Sequence, residues 1–223
     1  MIPAIPEPVG DPLELGLGDV RVDSDFDPAP GVPEDRPPVT VPLGSTFADH
    51  VTVEPIPQHV AGDIYSAHHS YMPDLPTVNL THHGLLFQDQ LVGAITYRFP
   101  LIRKLAYDGR EYCGDEIVEA ARICLGVRMP NLASAALATS QERFVRDHAQ
   151  RRGVALLLTF VRADYDGAMI RALHDKGWER AGKTTPSQAG NRPAKAIRER
   201  AKWRFLCPVD EPGGEQAGLG RWV

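Results

Sequence analysis

Two charged residues stand at apolar segments, where a ligand could reach them. Arg122 interrupts the apolar residues 116–125, and Asp164 follows the apolar residues 154–161. A guanidinium is costly to bury without a partner, so Arg122 must reach a cleft or meet a carboxylate. Ligands of open α/β sheets bind at the carboxyl ends of strands. An Arg122–Asp164 pair could therefore orient a substrate, Asp164 could accept a proton from an amine, or the pair could be purely structural.

A second group with useful chemistry consists of His68, His69 and Tyr71. Imidazole can shuttle a proton near neutral pH, and a tyrosine can donate a hydrogen bond or stack on a base. Residues 58–70 suit a short helix, on which neighbouring side chains diverge by about 100°. At most one of the two histidines can then face inward, and we favour His68. The alternative is a solvated helix end without a role in chemistry.

His82 and His83 follow closely in sequence, and four nearby histidines suggest a metal site. Residues 83–87 and 91–99 carry the alternating pattern of a hairpin. Alternate residues of a strand face opposite sides, so His82 and His83 cannot both reach one ion without distortion. We therefore expect no metal.

Residues 128–134 lie between a predicted strand and the longest predicted helix. A helix N-terminus presents backbone N–H groups and the positive end of the helix dipole, which favour anionic phosphate. Small side chains let a ligand approach the backbone, and an arginine adds a fixed positive charge. The alternative is an ordinary helix start with Asn131 as its N-cap. The candidate cofactor-binding residues are Arg128, Asn131, Leu132, Ala133 and Ser134.

Hydrophobic patterns predict the elements that position these groups. The predicted order is β-α-β-β-β-α-β-α-β-β, an α/β (α+β) domain with at least one parallel βαβ unit. The longest helix ends at Gly153, since glycine readily takes the left-handed backbone of a helix end. The predicted strands span residues 50–55, 83–87, 91–99, 116–125, 154–161, 178–181 and 202–207, and the predicted helices span residues 58–70, 132–152 and 167–176.

Two local features add detail to this pattern. Gly93 lies inside a predicted strand, where glycine marks a bulge or a close approach of another backbone. Residues 101–114 interrupt the succession of strands, and we interpret them as an insertion.

The turn Arg128-x-x-Asn131-x-Ala133, together with the strand order, resembles the GNAT acyltransferases. In that family an Arg/Gln-x-x-Gly-x-Gly/Ala loop holds the pyrophosphate of acetyl-CoA. The resemblance implies a GNAT-like mixed central sheet with flanking helices and an acyl-CoA donor. Two positions depart from the family pattern. Asn131 replaces a glycine, and Leu173 replaces the tyrosine that protonates the CoA thiolate, with His174 one residue late.

A narrower resemblance, over residues 64–205, is to phage-borne GNAT-like proteins of the Mom type, which modify adenine in DNA. It implies that His68, His69 and Tyr71 line the site. The matching pieces are residues 68–73, 91–93, 121–124, 131–134, 163–164, 177–178, 191–193 and 202–205.

Charge is distributed unevenly along the chain. Residues 1–64 contain 12 acidic and 2 basic residues, whereas residues 176–204 contain 9 basic and 2 acidic residues. A basic segment and an acidic arm are consistent with a polyanion binder whose arm competes for its basic surface. The alternative is an ordinary solvated basic surface. On the first interpretation we expect DNA as a partner.

Composition divides the chain into three parts. Residues 1–45 hold 10 of the 20 prolines, lack apolar periodicity and are expected to be disordered or extended. Residues 46–207 form the expected GNAT-like domain, and residues 208–223 a loose tail. No apolar run is long enough for a membrane span and no secretory signal is recognised, so we expect a cytoplasmic protein. The three cysteines fit neither a disulfide framework nor a zinc site and are expected to be mostly buried thiols.

Three hypotheses about function follow. The first is a Mom-like transferase that modifies adenine in DNA, supported by the basic segment and by Tyr71, Trp178 and Trp203 as aromatic surfaces for a flipped base. The second is an acyl-CoA-dependent N-acetyltransferase for an amine of a small molecule or protein. The third is a binding protein without catalysis that kept the fold. The sequence leaves the oligomeric state open.

Overall fold

A computed structural model of the chain describes residues 49–69, 73–76, 78–87, 90–126, 131–164, 168–184 and 201–209. The predicted mixed α/β architecture is confirmed. The elements are β1 (Val51–Pro55), α1 (Gln58–His68), β2 (Asn79–Phe87), β3 (Gln90–Arg98), β4 (Lys104–Tyr107), β5 (Arg110–Cys113), β6 (Ile117–Leu125), α2 (Leu132–Phe144), a π-helical turn (Val145–Ala149), α3 (Gln150–Arg152), β7 (Leu156–Arg162), α4 (Ala168–Asp175), β8 (Glu179–Lys183) and β9 (Lys202–Pro208).

Seven of the described strands form one mixed sheet in the order β1-β2-β3-β6-β7-β9-β8. All neighbouring strands run antiparallel except β6 and β7, which are parallel and are joined through α2. This is the predicted βαβ unit. The two strands of such a unit both end at the same edge of the sheet, so their carboxyl ends lie close together.

The sheet has two differently covered faces. On one face, which we call the α2 face, α2 and α4 pack against buried residues such as Tyr97 and Val118. On the opposite face, the α1 face, Tyr65 of α1 packs against Ala94 and Cys124. Farther along the α1 face, the β4–β5 hairpin covers a second apolar cluster. That cluster consists of Leu105, Tyr112, Ile117, Leu156, Leu158 and Leu206.

The parallel pair β6–β7 separates after a short seam. Its register pairs are Ile117 with Leu156, Val118 with Leu157, and Glu119 with Leu158. Beyond them β6 continues to Leu125 along β3, while β7 continues along β9. The Thr159 hydroxyl donates to the Ala120 carbonyl at 2.8 Å, at the point where the strands part. The carboxyl-terminal parts of β6 and β7 are therefore not paired with each other, and we call the space between them the cleft.

Gly93 is a place of close backbone approach, as its position in a strand predicted. A Cβ atom at this residue would lie 2.4 Å from the carbonyl oxygen of Cys124 on the neighbouring strand β6. Any side chain here would push β3 and β6 apart. The glycine therefore permits the pairing of the two strands beside the cleft.

The predicted insertion at residues 101–114 forms the β4–β5 hairpin, which is a sheet of its own. Its turn residues Asp108 and Gly109 have φ angles of 47° and 73°. An Asp-Gly pair with positive φ at both residues is typical of a tight two-residue hairpin turn. The hairpin covers the sheet rather than extending it.

The helix predicted over residues 132–152 is present but changes its winding. It runs as α2 to Phe144, passes through the π-helical turn, and closes with α3 before Gly153, whose φ is 67°. The predicted end at Gly153 is confirmed. Alanine occupies four of the thirteen positions of α2, which favours a helix because alanine has the highest helix propensity.

None of the described helices is long and apolar enough to cross a membrane. Cys124 and Cys207 are buried and Cys113 is exposed, and none of the three forms a disulfide.

Candidate functional site

The start of α2 depends on an unusual backbone conformation at Asn131. Its φ of 57° and ψ of 1° lie in the left-handed region, and its side chain makes no capping hydrogen bond. Asn131 occupies the N-cap position, as the alternative interpretation predicted. Its side chain does not cap the helix, although an ordinary N-cap asparagine would do so. Glycine and asparagine tolerate this conformation best. The departure from glycine in the family pattern is therefore one that the local backbone accommodates.

The first turn of α2 carries small or buried side chains and no acidic residue. Leu132 and Ala133 are buried, and Ser134 is half-buried. Strand β6 ends at the open side of the cleft only seven positions before α2 begins, so the helix starts at that same edge of the sheet. Arg128, the remaining candidate of this group, lies outside the described residues.

Arg122 lies on the α1 face, on the β6 border of the cleft. It is 9% exposed, and its strand partner on β3 is Thr96. Its Nη1 donates to the Ala121 carbonyl at 2.7 Å. Arg122 lies beyond the last β6–β7 pair, and the prediction that its guanidinium reaches a cleft or meets a carboxylate stays a prediction.

Asp164 follows the end of β7 on the other border of the cleft. It accepts two hydrogen bonds from Arg162, from Nε to Oδ1 at 2.9 Å and from Nη2 to Oδ2 at 2.5 Å. This two-pronged geometry holds the carboxylate in one orientation. Sequence reasoning missed Arg162 as its partner, and the Arg122–Asp164 pair stays a prediction.

A buried hydroxyl–imidazole chain lies beside Arg122 on the α1 face, and sequence reasoning did not find it. Thr96 Oγ1 is hydrogen-bonded to Tyr65 Oη at 2.7 Å and to His82 Nδ1 at 2.8 Å. Burial raises the pKa of Tyr65 and lowers the pKa of His82. Both groups are therefore neutral near pH 7, and the chain links α1, β2 and β3.

Charged side chains crowd the α1 face between helix α1 and the β4–β5 hairpin. Arg98 binds Glu119 through an ion pair of 2.8 Å. Lys202 lies directly opposite Arg162 in the β7–β9 ladder. Burial lowers the pKa of Lys202, and the neighbouring charge of Arg122 lowers it further. We call this group the charged cluster, and its members are Arg98, Glu119, Arg122, Arg162, Asp164 and Lys202.

A signal in the sequence could have found more of the charged cluster. Arg122 was a candidate because it stands in an apolar strand. Glu119 stands in the same strand, and Arg162 ends the next apolar one. The same argument applies to Arg122, Glu119 and Arg162, because each charged side chain in a buried strand needs a partner.

Both histidines at the end of α1 are half-exposed. The His69 ring lies edge-on to Tyr65, with centroids 6.1 Å apart, and its backbone N–H donates to the Tyr65 carbonyl. The His69 ring therefore lies beside Tyr65, which is one member of the hydroxyl–imidazole chain. The preference for His68 stays a prediction, and Tyr71 lies outside the described residues.

His83 faces away from His82, as strand alternation predicted. Its Nδ1 is 2.9 Å from Ser140 Oγ, which is also 3.0 Å from Tyr97 Oη, all on the α2 face. His83, Tyr97 and Ser140 are completely buried. A serine and a histidine at this distance resemble a catalytic pair, but here they are part of the core. Within the described ranges, no group of three or more metal-ligating side chains is placed to hold an ion.

Trp178 and His174, two candidates near α4, both make packing contacts. Trp178 is 1% exposed, and its indole N–H donates to Gln141 Oε1 at 2.9 Å. The expectation that Trp178 stacks on a base is wrong, because its ring is inside the core. Leu173, at the position of the family tyrosine, is also buried, whereas His174 is exposed and packs edge-on against Phe205.

The basic segment of residues 176–204 is described only at its two ends. There Arg180 and Lys183 lie over the Trp203 ring, with their charged groups 4.5 Å and 5.0 Å from its centroid. These contacts place two cations on one indole, a favourable cation–π arrangement. The basic residues between positions 185 and 200 lie outside the described residues.

Comparison with known proteins gave matches among solved structures only. No protein-family model matches the chain, and no curated protein matches it. The ribosomal-protein-S18-alanine N-acetyltransferase of Escherichia coli is 14% identical with a TM-score of 0.46, covering 74% of this chain and 97% of that one.

Two further matches are of the same kind. A GNAT family acetyltransferase of Elizabethkingia anophelis with acetyl-CoA bound is 11% identical with a TM-score of 0.47, covering 72% of this chain and 99% of that one. A Bacillus subtilis acetyltransferase in complex with CoA is 10% identical with a TM-score of 0.46, covering 72% of this chain and 98% of that one. None of these three is a protein of the Mom type.

Proposed function

We propose that this protein is an acyl-CoA-dependent N-acetyltransferase, which moves an acyl group from a thioester to an amine. The observation that carries the proposal is the cleft between β6 and β7, with the N-terminus of α2 at its open edge. Strand pairing there stops after Glu119, while β6 continues for six more residues.

The cleft suits a slender chain that contains amide groups. Beyond Glu119 the side of β6 that faces the cleft has backbone N–H and C=O groups, and Thr159 bonds the first carbonyl. An extended ligand with amides can bind such an edge as an added strand does. The pantetheine arm of coenzyme A has two amides and is of this kind.

The start of α2 suits the diphosphate of the same donor. The backbone amides of Leu132, Ala133 and Ser134 belong to the first turn, where the helix dipole favours an anion. The left-handed backbone at Asn131 is one that glycine, the residue usual at this place in the resembling loop, also adopts readily. Arg128 would add a positive charge, as the resemblance implies.

The thioester supplies an activated acyl group when the donor is bound. The chain's own residues must then orient the amine and exclude competing water. Arg122 and Asp164 border the cleft from its two sides on the α1 face. Asp164, held by Arg162, would accept the proton that the amine loses, and the thiolate of the donor would leave as the amide bond forms.

The hypothesis of adenine modification in DNA has no comparable support. The described residues include only the ends of its basic segment, and Trp178 is unavailable for stacking. The acyl-CoA hypothesis requires only the cleft, the start of α2 and the charged residues Arg122 and Asp164 beside the cleft.

The test is calorimetric titration of the full chain with acetyl-CoA, followed by mass spectrometry of a panel of amines incubated with both. We expect a saturable binding isotherm and an acetylated product. Ser134→Glu puts a carboxylate in the first turn of α2 and should weaken binding about ten-fold or more, because it repels a diphosphate.

Ala138→Glu is the matched control, since it places the same carboxylate one turn farther along the same side. It should leave acetyl-CoA affinity within about two-fold, because the dipole effect is confined to the first turn. A folded wild-type chain that shows no heat of binding at millimolar acetyl-CoA would rule the proposal out.

A further inference from the structure

We propose that the charged cluster binds an anionic group of the acceptor, a carboxylate or a phosphate, next to the amine that is acylated. This inference rests on the proposed function, because it names the class of substrate that the same cleft accepts. It assigns Lys202 and Arg122 as specificity-determining residues.

The first argument is position. Strand pairing places Arg122 opposite Thr96, and it places Arg98 opposite Glu119. All of these residues have side chains on the α1 face, because cross-strand partners share a face. Lys202 shares this face with its partner Arg162. The cluster therefore borders the cleft on both sides, along the α1 face between helix α1 and the β4–β5 hairpin.

The second argument is the balance of charge within the cluster. It contains four cations and two carboxylates, and each carboxylate binds one arginine, Glu119 to Arg98 and Asp164 to Arg162. Like charges close together repel one another, and an anion placed among them removes that repulsion. The surplus is consequently positive within the described residues.

The third argument is burial. Arg122 is 9% exposed, Arg162 8% and Glu119 6%. Charges at buried positions are screened weakly by solvent, so they interact strongly with a ligand that reaches them. Asp164, whose side chain is 42% exposed, lies on the solvent side of the cluster. A single carboxylate or phosphate is small enough to approach these residues from that side, whereas the backbone of a duplex is too wide to do so. The site thus favours a small acceptor.

The fourth argument concerns Lys202 itself. Burial and the charge of Arg122 disfavour its ammonium form, as the lowered pKa records. An anion beside it would reverse this effect. A lysine acts as a mobile point charge that can follow an anion of either geometry, while an arginine offers a planar fork. Together the two side chains can grip a carboxylate or a phosphate.

The experiment uses three amines that share an aminoethyl group: ethanolamine, phosphoethanolamine and β-alanine. We expect kcat/KM for at least one of the two anionic amines to exceed that for ethanolamine about ten-fold or more. Comparing kcat/KM for phosphoethanolamine with that for β-alanine shows whether the site prefers a phosphate or a carboxylate. Lys202→Met should remove that preference, lowering kcat/KM for the anionic amine about ten-fold while changing ethanolamine little, since one charge-assisted contact is lost. Lys202→Gln should behave alike.

Lys104→Met is the matched control. Lys104 is an exposed cation on the hairpin, paired with Glu111 at 2.7 Å. Its replacement removes one positive charge from the chain without touching the cluster, so the preference for anionic amines should persist. Equal use of all three amines, or an equal loss for charged and neutral amines in the Lys202 variants, would overturn the inference.

A second readout does not depend on acetyl transfer. Inorganic phosphate should raise the melting temperature of the wild type and of Lys104→Met by a few degrees, and that of Lys202→Met by less. If acetyl-CoA fails to bind but this difference remains, the proposed function fails and the anion site stands. Equal stabilisation of all three proteins, or stabilisation by duplex DNA alone, would refute the anion site.

Discussion

Two adjacent histidines show how much a single position in a strand decides. His82 and His83 differ by one residue, yet the first joins Thr96 on the α1 face and the second joins Ser140 on the α2 face. His82 belongs to a polar chain near the cleft. His83 lies in the core and holds β2 to α2.

His83 should make folding sensitive to acid. Burial lowers the pKa of His83 to about 4, and the charge of Arg143 contributes. The unfolded chain takes up this proton near its ordinary pKa of about 6.5, so the unfolded state is favoured as pH falls from about 6.5 toward 4. We expect a loss of about 2 kcal/mol in unfolding free energy between pH 7.5 and pH 5 from this group.

Urea denaturation of His83→Gln at both pH values measures this contribution. The variant should be less stable than the wild type at pH 7.5, because the core contact changes, but it should lose less stability on acidification. His59→Gln, at an exposed position of α1, should show the full loss of the wild type. If His83→Gln and the wild type lose the same free energy, the buried imidazole is not the cause.

A functional candidate could be predicted from the sequence where a charged residue stands among apolar ones. Arg122 was singled out in this way, and it lies beyond the last β6–β7 pair. Tyr65 and Thr96 were not recognised, because a tyrosine in a helix and a threonine in a strand are ordinary. Their pairing depends on how α1 lies across the sheet, which the local sequence does not encode.

At the scale of elements, the start of α2 is the feature with the clearest requirement. The left-handed backbone at Asn131 turns the chain into the helix without a side-chain cap. A β-branched residue is strained in this conformation, whereas glycine adopts it easily.

Asn131→Gly should therefore keep stability within about 0.5 kcal/mol, while Asn131→Val should lose about 1–2 kcal/mol. Thermal denaturation followed by circular dichroism measures both. Ala138→Val, in the right-handed part of α2, controls for the β-branched side chain itself. A valine at position 131 that costs no more than the valine at 138 would show that the turn is not under this constraint.

The order of elements was predictable because each carries its own periodicity. The long helix and its end at Gly153 were read from the apolar stripe and the glycine. The separation of β6 from β7 was not predictable, since the local pattern of a strand does not show where its pairing ends and this pairing joins residues about forty positions apart. The feature that creates the candidate site, the end of β6–β7 pairing, thus depends on contacts between distant parts of the chain.

For the whole molecule, the expected boundary near residue 46 stays a prediction. We expect removal of residues 1–45 to leave the melting temperature within about 2 °C of the full chain, because a proline-rich acidic segment buries little apolar area. Removal of residues 1–57 should be far more damaging. It also deletes β1, whose Val51 and Val53 are buried, at a cost of about 3 kcal/mol or more.

Scanning calorimetry of the two truncated chains beside the full one measures the difference. A large loss of stability in the first truncation would place residues 1–45 inside the folded unit and would move the boundary. The known extent of the sheet makes the second truncation a positive control.

The short seam between β6 and β7 has a mechanical consequence. Three residue pairs join a four-stranded plate to a three-stranded plate, and α2 bridges them through the chain. A seam of this width resists relative rotation of the plates less than a full ladder does. A ligand that binds to β6 and β7 at once would restrict this rotation. The sheet should therefore become more rigid as more of the protein is bound to ligand.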